Sequence, residues 1–518
     1  MSVFLKVILS LDLFKGVFCL KETAGYKFEN GVLTFEPNVK TIERINQNVF
    51  NTMYKDKVKK IIIPEGIVNI GPSAFKDYEN LETVILPKSL EKIECTAFMN
   101  CEKLTDIKLP SNLKIINTGA FNGCHSLENI EFPDSLESVS SLVLYDTKYF
   151  ENQDNWSGLA LYNGKHLLFV DESVCGDFEV AEGTKTIAGY AFAQCPDLIE
   201  VIIPNSVVDI GEYAMSECQS LEKVFLPNKL SILKEGLFAQ DEMLKIVSIP
   251  ESVQKIEENV FTSCSNMEEV YIFDLSKWCK IDFYDESSVP FIYSTNLYLN
   301  DKLIENLVIP EDVNEISNYA FSFCRTMESV TIPPTVKCIH ESAFLSNSVK
   351  NVYISDLSEW FKLKFANSTA NPLSAGCTLY LNEKPITDLV IPDKISEIKD
   401  YTFCGCNSLN NVIINSHIKN IGEWSFAYCK NLKTVKIRDG LKEIPHHAFA
   451  HSEKLSTIYL PMSIENICPA AFDCCNRMLI KCGKNKMVAD WATEHGFSLR
   501  ISEIDAFLDS VSENQQIK

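Results

Sequence analysis

Leu81-Glu82-Thr83-Val84-Ile85-Leu86-Pro87-Lys88-Ser89-Leu90-Glu91-Lys92-Ile93-Glu94-Cys95-Thr96-Ala97-Phe98-Met99-Asn100-Cys101 decides the fold of this chain, because its reading recurs at a fixed period. The next unit runs Leu104, Ile107, Leu109, Pro110, Leu113, Ile116, Ala120-Phe121, Cys124. Later come Leu198, Val201, Ile203, Pro204, Val207, Ile210, Ala214-Met215, Cys218, and then Leu455, Ile458, Leu460, Pro461, Ile464, Ile467, Ala471-Phe472, Cys475. Leu-x-x-Val-x-Ile holds the alternation of a short half-buried strand. The proline after it removes a donor and ends the ladder. Val or Leu and then Ile point inward from the return path, and Ala-Phe pairs a small residue that permits close stacking with a large one that fills the gap.

Phenylalanine marks the frame every 23 residues at Phe75, Phe98 and Phe121, at Phe192, Phe238 and Phe261, at Phe321 and Phe344, and at Phe403, Phe426, Phe449 and Phe472; Met215 fills one gap. A unit this small cannot bury its own apolar face and must stack on its neighbours. The predicted fold is therefore a solenoid of about fourteen repeats, mainly short parallel strands about 4.8 Å apart with turn or short-helix returns. Val49-Phe50 is taken as the first unit.

The period breaks between Phe121 and Phe192, Phe261 and Phe321, and Phe344 and Phe403. The last two interruptions are copies of each other. Tyr271-Ile272-Phe273-Asp274-Leu275-Ser276-Lys277-Trp278 matches Tyr353-Ile354-Ser355-Asp356-Leu357-Ser358-Glu359-Trp360, and Leu297-Tyr298-Leu299-Asn300 matches Leu379-Tyr380-Leu381-Asn382. Asp-Leu-Ser reads as a capped helix entry, and Leu-Tyr-Leu-Asn with the following Leu-Val-Ile as a hairpin re-entering the stack. Trp278 and Trp360 are read as the small core of each insertion rather than as binding anchors. In the first interruption Asn163-Gly164 lies between alternating apolar runs, a hairpin signal, and the added strands are expected beside the stack. The resulting plan is an N-terminal segment 1–38, repeat blocks 39–136, 181–270, 307–352 and 389–480, insertions 137–180, 271–306 and 353–388, a helix-plus-strand cap 481–502 and a flexible tail 503–518.

Across roughly Val39 to Ser502 the phrase Leu-x-x-Val-x-Ile-Pro-x-Ser-Val-x-x-Ile-x-x-x-Ala-Phe-x-x-Cys resembles the leucine-rich repeats of the BspA-like, or Treponema-type, family. Proteins of that kind are mostly surface or secreted proteins of bacteria and some protists. The resemblance implies a cell-surface or secreted protein with an adhesive, protein-binding role towards a protein or a host or matrix component. Met1 to Leu20 is apolar, but it carries Asp12 and Lys15 and lacks a small-x-small cleavage site before Cys19. It leaves open a degenerate export signal and a buried first strand or capping helix, so cytoplasmic residence as a scaffold stays open beside the surface.

Composition is that of a folded protein, 46% hydrophobic and 23% charged. A net charge of −22, with no Lys/Arg cluster interrupting it, argues against nucleic acid as a partner. No stretch of eighteen apolar residues exists, so no membrane-spanning helix is expected. Of nineteen cysteines, nine stand three residues after the repeat Phe or Met: Cys101, Cys124, Cys195, Cys218, Cys264, Cys324, Cys406, Cys429 and Cys475. A fixed repeat position faces one way in every rung, so these are read as a ladder of buried thiols rather than disulfides. Cys404-Gly405-Cys406, Cys474-Cys475 and His446-His447 lack further ligands at close spacing, so no metal and no cofactor is expected, and the histidines are read as a solvated turn.

No glycine-rich phosphate loop, Gly-x-Ser-x-Gly or His-Glu-x-x-His is present, so the chain is read as a non-enzyme. An enzyme housed in an insertion is the distant alternative. Asn155 and Asn367 match glycosylation acceptors. The strand position facing away from the core reads Ile62, Ile85, Lys108, Glu131, Ile202, Phe225, Ser248, Tyr271, Thr331, Tyr353, Ile413, Lys436 and Tyr459. It has fewer charges than a solvated face usually shows. Ile202, Phe225, Tyr271, Tyr353 and Tyr459 are the candidate binding residues, because aromatic anchors carry interface energy.

Overall fold

A computed structural model describes residues 26–35, 40–42, 55–292 and 295–501. The signal-like stretch to Leu20, the Val49-Phe50 start and the tail from 503 lie outside the described residues. The chain divides into two compact units, residues 1–168 and 169–518.

One rung explains both units. Thr83–Ile85 is a three-residue strand with Val84 inward, and it pairs in parallel with Lys60–Ile62, Val84 opposite Ile61. After Pro87 the chain returns through Lys92–Ile93, which pairs with Asn69–Ile70 in a second parallel ladder. The return path expected as a turn or short helix is therefore a strand as well. A tight turn then carries Phe98 inward. Thr96 and Asn100, two residues either side of it, sit at φ +53° and +61°, a left-handed conformation that costs a non-glycine residue roughly 1–2 kcal/mol. The turn is held because it too pairs with the next rung: Phe98 N–H donates to Ala120 O and Asn100 N–H to Asn122 O, both at 2.8 Å.

In the first unit Tyr26–Glu29 and Val32–Phe35 form an antiparallel hairpin about Asn30-Gly31, and Val32–Phe35 pairs in parallel with Lys60–Ile62. The return ladder there has five strands, ending at Ser138–Val139. Beyond the last three-residue strand, Asn129–Glu131, no further repeat strand follows within this unit. The buried side chain of Asn163 occupies that edge, accepting from Phe132 N–H at 2.8 Å and donating to Ile130 O at 2.9 Å. One amide group thus does for the open edge what a neighbouring strand would do.

In the second unit the strand ladders hold seven, five and six members. Both duplicated segments belong to them. Asn296–Leu299 pairs in parallel with Glu269–Ile272, and Thr378–Leu381 with Asn351–Ile354. Asp282–Phe283 and Lys364–Phe365 likewise extend the return ladders. Each segment is thus an enlarged rung in which a short helix, Leu275–Trp278 or Leu357–Lys362, stands in place of the proline turn. The helices are capped by Asp274 and Asp356. The hairpin partner of Asn296–Leu299 is Lys302–Leu303, not Leu307 and its neighbours, which begin a new sheet at Asn306–Val308. Trp278 and Trp360 are both about 2% exposed. Their Nε1–H groups donate to Ala320 O and Thr402 O, 42 residues ahead in each copy. At the C-terminal side Asn485 caps a helix, Lys486–Glu494, that packs Trp491 edge-on to Phe472 at 5.9 Å, and Ser498–Ile501 closes the ladder on Leu479–Cys482.

The phenylalanine column is dry and stacked. Phe403–Phe426, Phe426–Phe449 and Phe449–Phe472 have centroids 5.3, 5.5 and 5.5 Å apart with interplanar angles of 8° or less. These are offset stacks, the arrangement that aromatic quadrupoles favour. One rung carries Asp241 where its neighbours carry the ladder cysteine. Asp241 is fully buried; Oδ1 accepts from Cys218 N–H at 2.8 Å, and Oδ2 has no partner. Burial pushes this carboxyl well above the usual range. A pKa raised on folding gives a contribution to stability that is present below the unfolded value and lost as pH rises through the folded one.

Phe426→Ala is expected to cost about 3–5 kcal/mol, read by denaturant titration; a near-neutral value would show the column to be slack. Asp241→Asn keeps the acceptor and removes the titration. Its stability relative to the parent should improve as pH is raised from about 5 to about 8, measured by denaturation at each pH, and a constant difference would contradict the buried acid.

Candidate functional site

The strand ladders bury alternate residues and turn the others outward, so the pairing register sets which outward side chains are neighbours. In the second unit one row runs Glu179, Ile202, Phe225, Ser248, Tyr271, Tyr298. Ile202 and Phe225 are direct partners, 48% and 49% exposed. Lys223 leans over the Phe225 ring at 5.4 Å from the centroid while paired with Glu200 at 2.8 Å.

Phe225 and Tyr271 are separated by a full strand. Ser248 stands between them, buried, its Oγ accepting from Leu226 N–H at 3.2 Å. The row is thus an apolar step, a small recess and an aromatic step, rather than one continuous strip.

Tyr271 is half-buried because it stacks on Tyr298 at 4.9 Å. Its hydroxyl donates to Glu269 at 2.6 Å, and that carboxylate holds the phenol up to about 12, so it stays a donor. The second duplicated segment repeats the step: Tyr353 stacks on Tyr380 at 4.8 Å, in a row that reads Val308, Thr331, Tyr353, Tyr380. Tyr298 and Tyr380 are not among the candidates drawn from the sequence, because their hairpins, though expected to re-enter the stack, fall outside the 23-residue frame from which the outward row is taken. The alternation of Leu-Tyr-Leu, identical to that of the repeat strands, was the available signal. Tyr459 lies in a third row, beside Lys436 and Lys481. The five candidate residues therefore occupy three sheets, and only Ile202, Phe225 and Tyr271 share one.

Other candidates resolve differently. Cys101, Cys124, Cys195, Cys218, Cys264, Cys324, Cys406, Cys429 and Cys475 are all buried free thiols. Those of Cys124, Cys218, Cys264, Cys429 and Cys475 donate at 3.1–3.2 Å to the carbonyl of the phenylalanine 26 residues earlier. Burial pushes Cys195 and Cys475 up to about 12, which removes the thiolate that nucleophilic or metal chemistry needs. Cys95, Cys175 and Cys474 are exposed.

His447 is not a solvated turn residue. The left-handed turn positions line up from rung to rung, and it stacks on Trp424 with centroids 4.0 Å apart, while His451 stacks on Tyr428 at 4.5 Å. No group of three metal-ligating side chains occurs among the described residues, nor any helix long and apolar enough to cross a membrane. The Asn367 side chain caps the turn Ser368–Ala370, accepting from Ala370 N–H at 2.8 Å, and Asn155 Nδ2 donates to Tyr149 O at 2.8 Å. The amide nitrogen of Asn155 is thus engaged within the fold, and at Asn367 the amide oxygen is.

A family model, the BspA type leucine rich repeat region, matches residues 28–157, 169–289, 292–371 and 376–489. No curated protein matches. Among solved structures, a leucine-rich repeat protein from Bacteroides ovatus is similar at 20% identity, covering 94% of this chain and 100% of that one, with a TM-score of 0.36. One from Eubacterium ventriosum is similar at 17% identity over 88% and 93%, with a TM-score of 0.30. The T. pallidum leucine rich repeat protein is similar at 24% identity over 47% and 87%, with a TM-score of 0.20.

Brief iodoacetamide treatment of the native protein should label Cys95, Cys175 and Cys474 and spare the nine ladder cysteines until denaturant is added, as mapped by peptide mass spectrometry. Labelling of Cys429 at the rate of Cys474 would contradict a closed thiol column.

Proposed function

The chain belongs to the BspA-type leucine-rich repeat family, and on that premise we propose that it is a non-enzymatic protein-binding module whose outward sheet face carries the partner. The observation that supports this reading is the row Ile202, Phe225, Ser248, Tyr271, Tyr298, where large apolar and aromatic side chains are presented on hydrogen-bonded strands. Such residues bury much area at little entropic cost, because the ladder already fixes their backbone. Ile202 and Phe225, each about half exposed, are the anchors, with the Ser248 recess between them and the tyrosine step. Tyr353 and Tyr380 provide a second step of the same kind. We place the protein at a cell surface in an adhesive role, on the strength of the family alone.

The double variant Phe225→Ser with Tyr271→Ser should lose a partner that the parent captures in a cross-linking screen, while its thermal unfolding stays parental. Equal capture by a folded variant would end the sheet-face reading. For location, a membrane-impermeant biotinylation reagent should label the protein on intact cells. Label gained only after lysis would leave the binding face in place and remove the surface role.

A further inference from the structure

In the last ladder of the second unit, outward residues of four adjacent strands pair as Lys436, Tyr459, Lys481 and Arg500. Lys436 Nζ lies 5.5 Å and Lys481 Nζ 4.8 Å from the centroid of the same Tyr459 ring, and Lys481 Nζ donates to the Tyr459 hydroxyl at 3.1 Å. The ring thus holds two ammonium groups on its faces. Three outward lysines elsewhere in this unit are tied to carboxylates of the neighbouring rung: Lys223 to Glu200, Lys245 to Glu222 and Lys442 to Glu465, each at 2.8–2.9 Å. Among the described residues no carboxylate pairs with Lys481 or Arg500. The second outward row of these strands, Thr434, Thr457, Leu479 and Ser498, brings none either. Within the rung itself, Lys430, Lys433, Lys436 and Arg438 follow one another with no acidic residue between them. The chain is acidic as a whole, but Lys430 to Arg438 is a basic run, which corrects the expectation of no Lys/Arg cluster, and register adds Lys481 and Arg500 beside it.

We propose that this row is a docking surface for an extended acidic segment of a partner protein. The proposal rests on the reading of the sheet face as a protein-binding surface and names the chemistry of one part of it. Charge complementarity selects an anion, and dimensions select its form. Four strands span about 14 Å at 4.8 Å each. That is the reach of three carboxylates on alternate residues of an extended chain, about 6.8 Å apart. On its other side the row continues through Ile413 to Val390, which is 51% exposed, so aliphatic residues flanking the acidic run have a place to lie. A long polyanion fits worse. Beyond the patch, and within a screening length of about 8 Å, it meets the surface of a chain of net charge −22.

The test is fluorescence anisotropy of the full chain with labelled hexaglutamate, with hexaglutamine, a heparin hexasaccharide and an oligothymidylate as the other arms. Hexaglutamate is expected to bind saturably, more weakly at higher salt, and roughly tenfold more weakly to Lys481→Glu with Arg500→Glu. Lys481→Gln with Arg500→Gln, should the charge reversal fail to fold, is expected to lose affinity in the same direction. The Phe225→Ser, Tyr271→Ser variant should bind hexaglutamate as the parent does. The proposal is overturned by absence of saturable hexaglutamate binding, by equal binding to the folded charge variants, or by tighter binding of heparin or oligothymidylate at equal salt. In those cases a partner still lost on changing Phe225 and Tyr271 would keep the wider reading of the face.

Discussion

Backbone hydrogen bonding between adjacent rungs is the constraint on which the rest depends. A three-residue strand such as Thr83–Ile85 has no stability of its own. It exists because a neighbouring strand meets it in parallel register, and because the return strand and the turn are met as well. Everything else follows from keeping that register: identical positions face each other, so phenylalanine stacks on phenylalanine and thiol columns run through the interior. Left-handed turn residues as bulky as Trp424 and His447 are tolerated because the pairing over-determines their conformation.

The same constraint explains how the edge and the enlarged rungs are built. Where the strand ladder of the first unit stops at Asn129–Glu131, the Asn163 amide meets the exposed groups. The duplicated segments lengthen the path between two paired strands without breaking the pairing. Their extra residues fold into a capped helix whose tryptophan is locked by a carbonyl 42 residues away. An array can absorb additional chain in this way provided each ladder position is still filled.

The chemistry of the sheet face is placed by the alternation that makes the core. Every inward Val or Ile implies an outward neighbour, and outward neighbours on adjacent strands act together. One stretch presents Ile202 and Phe225, another the tyrosine steps, and a third the cations about Tyr459. These are differing chemistries on one kind of surface, as expected where a scaffold is constant and its outward positions are free to vary.

The solenoid class was legible in the sequence because a period of 23 with Pro, Phe and Cys at fixed offsets has one physical solution. The return ladder was not, since two residues such as Lys92–Ile93 carry no alternation to read. Nor were the rungs inside the duplicated segments, whose Phe frame is lost while the strands persist. The sequence alone told which side chains turn outward, because inward and outward alternate along a strand. Only the tertiary structure decided which of them meet: that Ser248 parts Phe225 from Tyr271, that Tyr298 joins it, and that Lys436 and Lys481 gather about one ring with Arg500 on the strand beyond. Adjacency across strands is set by register between distant segments, and no local pattern contains it.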